Sequence, residues 1–221
     1  MNSSDYLSLS PSTMLNPTPV VLVSCADKDN PENRDMVTAA WAGTVNSEPP
    51  MVSVSLRKER YSHGLIESSG EFVVNLPDEA MCKAVDFCGV RSGRDTDKSR
   101  ETGLRYVPAE NLETAPAVDG APVSLSCRVR QVIPLGSHDM FLGEVVAVRV
   151  RKDLVDEKGM WPSLCREESW SVIFLILPRS SFPFSSVSED VPTFMTISFF
   201  GIHLVLTKFF ILYTYILTLA N

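Results

Sequence analysis

Two short segments carry residues whose types and spacing suit a flat, anionic ligand. Residues 38–41 (TAAW) place two small residues between a hydroxyl and an indole, so the backbone there can approach a planar group closely. Residues 55–58 (SLRK) lead into Tyr61 and Ser62, so hydroxyls and two cations lie just before a predicted helix. Cations, hydroxyls and the free N–H groups of a helix start together form phosphate sites. Each segment also has a plainer interpretation, because TAAW fits a buried strand with Trp41 in the core and RKER fits a solvated charge cluster.

Strands on both sides must position these segments. Alternation predicts that residues 51–56 form a strand with Val52, Val54 and Leu56 in the core and a polar face left free. Five further strands are predicted at residues 19–25, 36–44, 71–76, 123–133 and 140–150. About six strands with few helices favour a small antiparallel barrel over a sheet of alternating strands and helices.

Two short helices are predicted between the strands. Residues 59–69 suit a helix closed by Gly70, and Asp78 suits the cap of a second helix that continues through Phe87. The second helix has an apolar face that includes Val85 and Cys88. The polar stretch that follows, residues 90–98, is predicted as a loop.

Composition excludes several classes of protein. A net charge of −7 and a pI near 5.0 argue against a nucleic-acid-binding protein, because phosphate contacts need a clustered excess of Lys and Arg. The five cysteines are odd in number and include no CxxC pair, so neither a disulfide framework nor a metal site is predicted. The first residues lack the basic and apolar regions of a secretory signal. We therefore expect a cytoplasmic protein.

Several segments together resemble a known family. TPVVLV, MVTAAWAG, PPMVSVSLRKERYSHGLIESSGEFVVNLP, CGVRSGRDTDK and GSHDMFLGEVVAV occur in the order and spacing of flavoredoxin-type members of the flavin reductase-like family. The resemblance covers about residues 15–159. It implies an FMN-binding split β-barrel of Greek-key-like topology, mostly β with short helices, and a homodimer.

The resemblance also implies a cofactor site. The TAAW segment would lie beside the isoalloxazine ring, residues 55–58 and Ser62 would hold the phosphate, and residues 92–98 would return to the flavin. The implied cofactor contacts are Thr38, Ala39, Ala40, Trp41, Ser55, Leu56, Arg57, Lys58, Ser62, Ser92, Gly93 and Lys98. His138 resembles the histidine of the family's Gly-Asp-His segment, although Ser137 replaces the Asp. It is the candidate catalytic residue, which would orient the flavin or the nicotinamide.

The implied function is an FMN-binding oxidoreductase that transfers electrons from NAD(P)H or a protein donor to flavin. Hydride transfer to flavin needs alignment more than a protein acid or base. The sequence has no GxGxxG fingerprint, so NAD(P)H is expected to bind transiently over the flavin. Two alternatives remain open: a non-catalytic flavin-binding electron carrier, and a chain whose altered C-terminus has lost cofactor binding.

The sequence changes character near Gly159, where the resemblance stops. Residues 161–221 hold 12 of the 19 aromatic residues but only 7 of the 47 charged ones. Residues 197–219 would be long enough, as a helix, to cross a bilayer, although Lys208 lies near the middle. A membrane anchor, a buried element of an atypical barrel, and a non-native tail from a shifted reading frame or mistaken gene boundary remain open. We therefore divide the chain into a lead-in at 1–14, a domain at 15–159 and a divergent apolar tail at 160–221.

Overall fold

The structure, a computed structural model, describes residues 7–15 and 18–155 and is mostly β within them. The helices of this part are short: α1 (Tyr61–Ser69), α2 (Cys82–Val90) and α3 (Lys98–Thr102). The strands are β1 (Val21–Ala26), β2 (Arg34–Ala39), β3 (Ala42–Ser47), β4 (Pro50–Arg57), β5 (Glu71–Leu76), β6 (Tyr106–Val107), β7 (Ala117–Val118), β8 (Val123–Pro134) and β9 (His138–Val150). The expected class, mostly β with short helices, is confirmed.

Seven of the strands form one antiparallel sheet in the order β2-β1-β5-β8-β9-β4-β3. Its two edge strands, β2 and β3, follow each other in the chain with only Ala40 and Trp41 between them. The sheet must therefore curl until its edges meet, and Ser55 N donates to Trp41 O at 2.9 Å near this junction. The result is a small barrel. The single strand predicted at 36–44 is divided in two at this corner.

Alternation along β4 builds the interior of the barrel. Val52, Val54 and Leu56 are buried and the serines between them are partly exposed, as predicted. Phe72 and Phe141 are fully buried in the same core. The outward face of β4 is therefore polar and remains available at the surface.

Both predicted helices, α1 and α2, are present, and their observed ends differ from the predicted ones by at most a few residues. Gly70 ends α1 with a φ of 68°, the left-handed conformation expected of a C-terminal glycine. Asp78 accepts a hydrogen bond from Met81 N, but it caps a 3₁₀ turn that leads into α2 rather than α2 itself. Helix α3 was not predicted, because its five residues KSRET show no apolar period.

Among the described residues, no helix is both long enough and apolar enough to cross a membrane. Residues 7–15 contain neither helix nor strand. The tail at 160–221, and with it the membrane segment predicted at 197–219, lies outside the described residues.

Candidate functional site

A cleft of about 310 Å³ lies between the start of α1 and the loop that connects α2 to α3. Its volume is at the lower end of the roughly 300–1,000 Å³ found for ligand sites. We name it the first cleft; its walls are formed by Asp35, Val37, Arg57, Glu59, Arg60, Tyr61, Ser62, Arg91, Ser92, Gly93, Arg94, Asp95 and Lys98. The structure thus brings together five predicted cofactor residues from two distant segments: Arg57, Ser62, Ser92, Gly93 and Lys98.

Positive charge dominates the first cleft. Four arginines line it, and within residues 18–155 none of them has a carboxylate oxygen within 4.0 Å: Arg57, Arg60, Arg91 and Arg94. Glu59 and Asp95 are the acidic residues that accompany them, beside Asp35 in the floor.

The start of α1 adds to this positive potential. The first N–H groups of a helix have no intrahelical partner, and Arg60 at the N-cap supplies no side-chain acceptor for them. The first turn also contains no acidic residue. Unpaired guanidinium groups beside an uncapped helix start favour a phosphate group.

A buried ion pair forms the floor of the first cleft. Lys98 Nζ lies 2.9 Å from Asp35 Oδ1 and donates to Met36 O at 2.7 Å. Both charged side chains are 2% exposed, and the hydroxyl of Ser62 donates to the other oxygen of Asp35. Lys98 and Ser62 therefore hold Asp35 in place. Their direct contact with a cofactor stays a prediction.

Gly93 packs on this floor. A Cβ at Gly93 would lie 2.3 Å from Asp35 Oδ1, which is closer than a non-bonded contact allows. Arg94 N also donates to Ser92 Oγ at 3.2 Å, which closes the loop tightly at the same point. Glycine is therefore needed here for the loop to approach the barrel and bring Arg91 and Arg94 to the cleft.

Arg57 and Lys58, which were predicted to share one phosphate site, diverge in the structure. Arg57 lines the first cleft, whereas Lys58 Nζ lies 3.3 Å from Asp139 Oδ1 in a second, neighbouring cleft. His63 Nε2 lies 2.9 Å from Asp139 Oδ2. Burial would raise the pKa of Asp139, but the hydrogen bonds from His63 and Lys58 outweigh it and hold that pKa below its usual range. The Lys58 side chain is thus already paired.

Trp41 and His138 form an aromatic pair beside Arg57. Their ring centroids are 4.5 Å apart with an angle of 38° between the planes. His138 lies opposite Arg57 in the register of β4 and β9. Trp41 is 45% exposed, so the interpretation of this residue as ordinary core was wrong. The pair presents an aromatic surface on which a planar ring can stack.

The residues just before Trp41 face the protein. Thr38 Oγ1 donates to Val85 O at 2.5 Å, and Ala40 packs against the cluster under α2. Ala39 and Leu56 are 5% and 3% exposed in the barrel core. The predicted cofactor contacts of Ala39 and Leu56 would therefore have to come from backbone atoms. Ser55 is partly exposed.

The surroundings of His138 lower its pKa, which favours the neutral imidazole near pH 7. Partial burial lowers its pKa, and the positive charge of Arg57 lowers it further. Ser137 Oγ lies 2.9 Å from His138 Nδ1, so the residue that replaces the family's Asp still contacts the ring. A neutral imidazole can donate one hydrogen bond and accept another at the edge of a ligand.

Eight of the thirteen residues that line the first cleft were not predicted as contacts, and four of these decide its charge: Asp35, Arg60, Arg91 and Arg94. Arg60, Arg91 and Arg94 belong to the quoted motifs RKER and RSGR, so weighing every cation of those motifs would have found them. Asp35 carried no such signal, because an acidic residue at a strand start usually faces solvent. Only its pairing with Lys98 shows its role.

Comparison with known proteins places the chain in a family. The profile of the flavin reductase-like domain matches residues 13–165, which is more than half of the chain. An uncharacterised protein of Archaeoglobus fulgidus is 30% identical over 128 residues, which cover 58% of this chain and 69% of that protein. The FMN reductase (NADH) RutF of Stutzerimonas stutzeri is 28% identical over 134 residues, which cover 61% of this chain and 74% of that protein.

Solved structures agree with this assignment. Flavoredoxin of Desulfovibrio vulgaris (Miyazaki F) has a TM-score of 0.71 and 28% identity, and the match covers 90% of this chain and 97% of that one. The matched region encloses residues 15–159, where the family's segments were recognised. The chain therefore belongs to the flavin reductase-like domain family and has the split-barrel fold that the resemblance implied.

Proposed function

We propose that this protein is an FMN-binding oxidoreductase that passes electrons from NAD(P)H or a protein donor to flavin. The observation that carries the proposal is the first cleft, where unpaired arginines and an uncapped helix start converge beside the Trp41–His138 pair. Two relatives support it, since one is named an FMN reductase (NADH) and the other a flavoredoxin. Bound FMN would supply the capacity to accept a hydride or single electrons.

The residues of the first cleft fit the phosphate of such a cofactor. Arg57 and Arg91 can each offer two N–H donors to phosphate oxygens, and the first N–H groups of α1 add further donors. Ser92 adds a hydroxyl from the loop. The neutralised floor, Asp35 with Lys98, keeps a bare carboxylate away from the bound anion.

Trp41 and His138 would orient the ring system. They lie next to Arg57, so a ligand whose phosphate is held by Arg57 can place a planar ring on the indole. The neutral His138 contributes hydrogen bonds without adding charge. This agrees with a reaction that depends on alignment of two rings rather than on a protein acid.

The proposal includes a homodimer. Strand β3 leaves most of its side chains exposed, including Val45 at 49%, and it adjoins the exposed Trp41. A second copy packed on this edge would cover both apolar residues and limit the access of water to the ring site. Light scattering should therefore give twice the chain mass of 24.4 kDa, and a monomer would contradict this part of the proposal.

The cytoplasmic location stays a prediction from the sequence.

Flavin binding tests the proposal directly. The protein mixed with FMN should show bound flavin absorbance, and Arg57→Ala should raise the Kd of FMN about tenfold or more, because a hydrogen bond between charged groups contributes roughly 1.5–3 kcal/mol. Arg100→Ala removes the same charge from an exposed residue outside the cleft and should change the Kd less than about twofold. A protein that does not bind FMN would contradict the proposal.

An electron carrier without its own hydride donor is the second candidate, and the likeness to flavoredoxin favours it. Anaerobic addition of NADH or NADPH separates the two. Bleaching of the flavin absorbance supports a reductase. Flavin that stays oxidised with both nucleotides, yet is reduced by dithionite, supports a carrier.

A further inference from the structure

A second cleft, of about 580 Å³, lies on the other side of the wall that bounds the first. The two clefts share Arg60, Tyr61 and Arg94 as lining residues. Lys58, His63 and Asp139 lie on the other sides of the second cleft. A ligand that passes over the shared wall would therefore occupy both clefts at once.

Most charged groups of the second cleft are already engaged. Lys58 and His63 both bind Asp139, at 3.3 and 2.9 Å. Glu67 Oε2 lies 4.0 Å from His63 Nδ1, and Asp27 accepts hydrogen bonds from two backbone N–H groups of its own turn. The arginines of the shared wall differ, because neither has a carboxylate oxygen within 4.0 Å in residues 18–155.

The shared wall is also held in place before a ligand binds. The guanidinium of Arg94 lies over the ring of Tyr61, 5.6 Å from its centroid. The hydroxyl of Tyr61 donates to Asn33, which anchors the ring. A guanidinium stacked in this way keeps its in-plane N–H groups free for an anion.

The number of cations exceeds what one phosphate needs. Arg57, Arg91 and the start of α1 already offer more than one donor to each oxygen of a single phosphate group. Arg60 and Arg94 remain, at the boundary with the second cleft. An unpaired pair of guanidinium groups that lines both clefts suits a second phosphate-bearing ligand.

We propose that Arg60 and Arg94 bind the pyrophosphate of the dinucleotide electron donor, whose adenosine half lies in the second cleft. This inference rests on the proposed function, and it adds to it that the donor is a whole dinucleotide rather than any dihydronicotinamide. The nicotinamide half would extend from the shared wall toward the ring site. The polar side chains of the second cleft would face the adenosine.

Kinetics of the FMN-loaded protein with a truncated electron donor test the proposal. Reduced nicotinamide mononucleotide lacks the adenosine monophosphate half of NADH, so its KM should be at least about tenfold higher in the unchanged protein. The variant Arg60→Ala/Arg94→Ala should raise the KM for NADH about tenfold or more, because it loses charge-assisted hydrogen bonds. With FMN at saturation, the variant should raise the KM for the mononucleotide less than the KM for NADH, because the mononucleotide carries only one of the two phosphates; equal increases for both donors would point to loss of flavin binding instead. Arg100→Ala, with the same loss of charge outside both clefts, is the control.

A binding measurement adds a readout other than activity. ADP-ribose carries the pyrophosphate and the adenosine but no nicotinamide, and calorimetry with the FMN-loaded protein should show it binding about tenfold more weakly to the double variant. Equal KM values for NADH and the mononucleotide in the unchanged protein would overturn the proposal. Tighter binding of FAD than of FMN that the double variant abolishes, with donor kinetics unchanged, would also overturn it, since the pyrophosphate would then belong to the flavin.

The same measurements distinguish failure of the proposed function from failure of the pyrophosphate assignment. A protein that binds no FMN, or whose flavin neither donor reduces, refutes the proposed reductase and this inference together. Flavin that both donors reduce equally well refutes only the pyrophosphate assignment.

Discussion

The two clefts lie on either side of Arg60 and Tyr61, but the carboxylate of each cleft is paired in a different way. In the first cleft the carboxylate of Asp35 is buried in the floor and neutralised by Lys98, which leaves the arginines of the rim unpaired. In the second cleft the carboxylate of Asp139 lies in the wall and is bound by Lys58 and His63. The first cleft is lined by five Lys and Arg residues against three Asp and Glu residues, and the second by three against three. Pairing widens this difference, because Asp35 is paired with Lys98 and leaves the four arginines unpaired within residues 18–155, whereas Asp139 is paired with Lys58 and His63.

The largest expected effect comes from breaking the floor of the first cleft. Lys98→Met leaves Asp35 buried without its cation and should lower the free energy of unfolding by about 3–5 kcal/mol, measured by urea denaturation. Arg105→Met breaks the exposed pair with Asp119 and should cost less than about 1 kcal/mol. Equal losses in the two variants would show that the floor is not a buried ion pair.

Gly93 lines the first cleft and Gly64 lines the second, and these two glycines give the next largest contrast. Gly93→Ala forces a methyl group against Asp35 and should cost about 1–3 kcal/mol of stability and weaken FMN binding. Gly64 is an exposed position of α1 where a Cβ meets no atom within 4 Å, so Gly64→Ala should raise stability by about 0.5–1 kcal/mol. Thermal unfolding of both variants measures the difference. A neutral Gly93→Ala would mean that the loop does not lie on Asp35.

Arg57 and Lys58 test the division between the clefts at the level of the cofactor. Flavin fluorescence titration should show the Kd of FMN rising about tenfold or more in Arg57→Ala but less than about threefold in Lys58→Ala. The reason is that Arg57 is unpaired in the first cleft, whereas Lys58 is paired with Asp139 in the second. Equal increases in the Kd of FMN in the two variants would support the single phosphate site that the sequence predicted.

The smallest effect concerns the second cleft and pH. The pKa of Asp139 is lower in the folded protein than its usual value of 3.8, so its ionised form stabilises the fold above about pH 4. That contribution disappears as the pH falls from 3.8 through the folded pKa. Asp139→Asn should therefore lower stability at pH 7, and the difference from the unchanged protein should narrow in acid. If the difference in the free energy of unfolding stayed constant from pH 7 to pH 3, the ionised carboxylate of Asp139 would not be a source of stability.

Features that depend on near neighbours in the chain were predicted well. The alternation of Val52, Val54 and Leu56 placed β4 and its polar face, and Gly70 marked the end of α1. Both follow from short-range periodicity and backbone sterics. The corner at Ala40 and Trp41 was missed, because a continuous strand pattern does not reveal where a barrel must bend.

From the sequence alone, the type of chemistry was predicted, since small residues, hydroxyls and cations at a helix start indicate a site for a planar phosphate ligand. The sequence also determined the family and the mostly β class. Which cations of residues 18–155 lack a carboxylate partner follows from the folded arrangement and not from the sequence. Lys98 and Lys58 carry the same charge as Arg57 in the sequence, but each meets a carboxylate brought from a distant strand, Asp35 and Asp139. Pairing depends on distances of a few ångströms between residues far apart in the chain, and those distances are set only when the barrel closes.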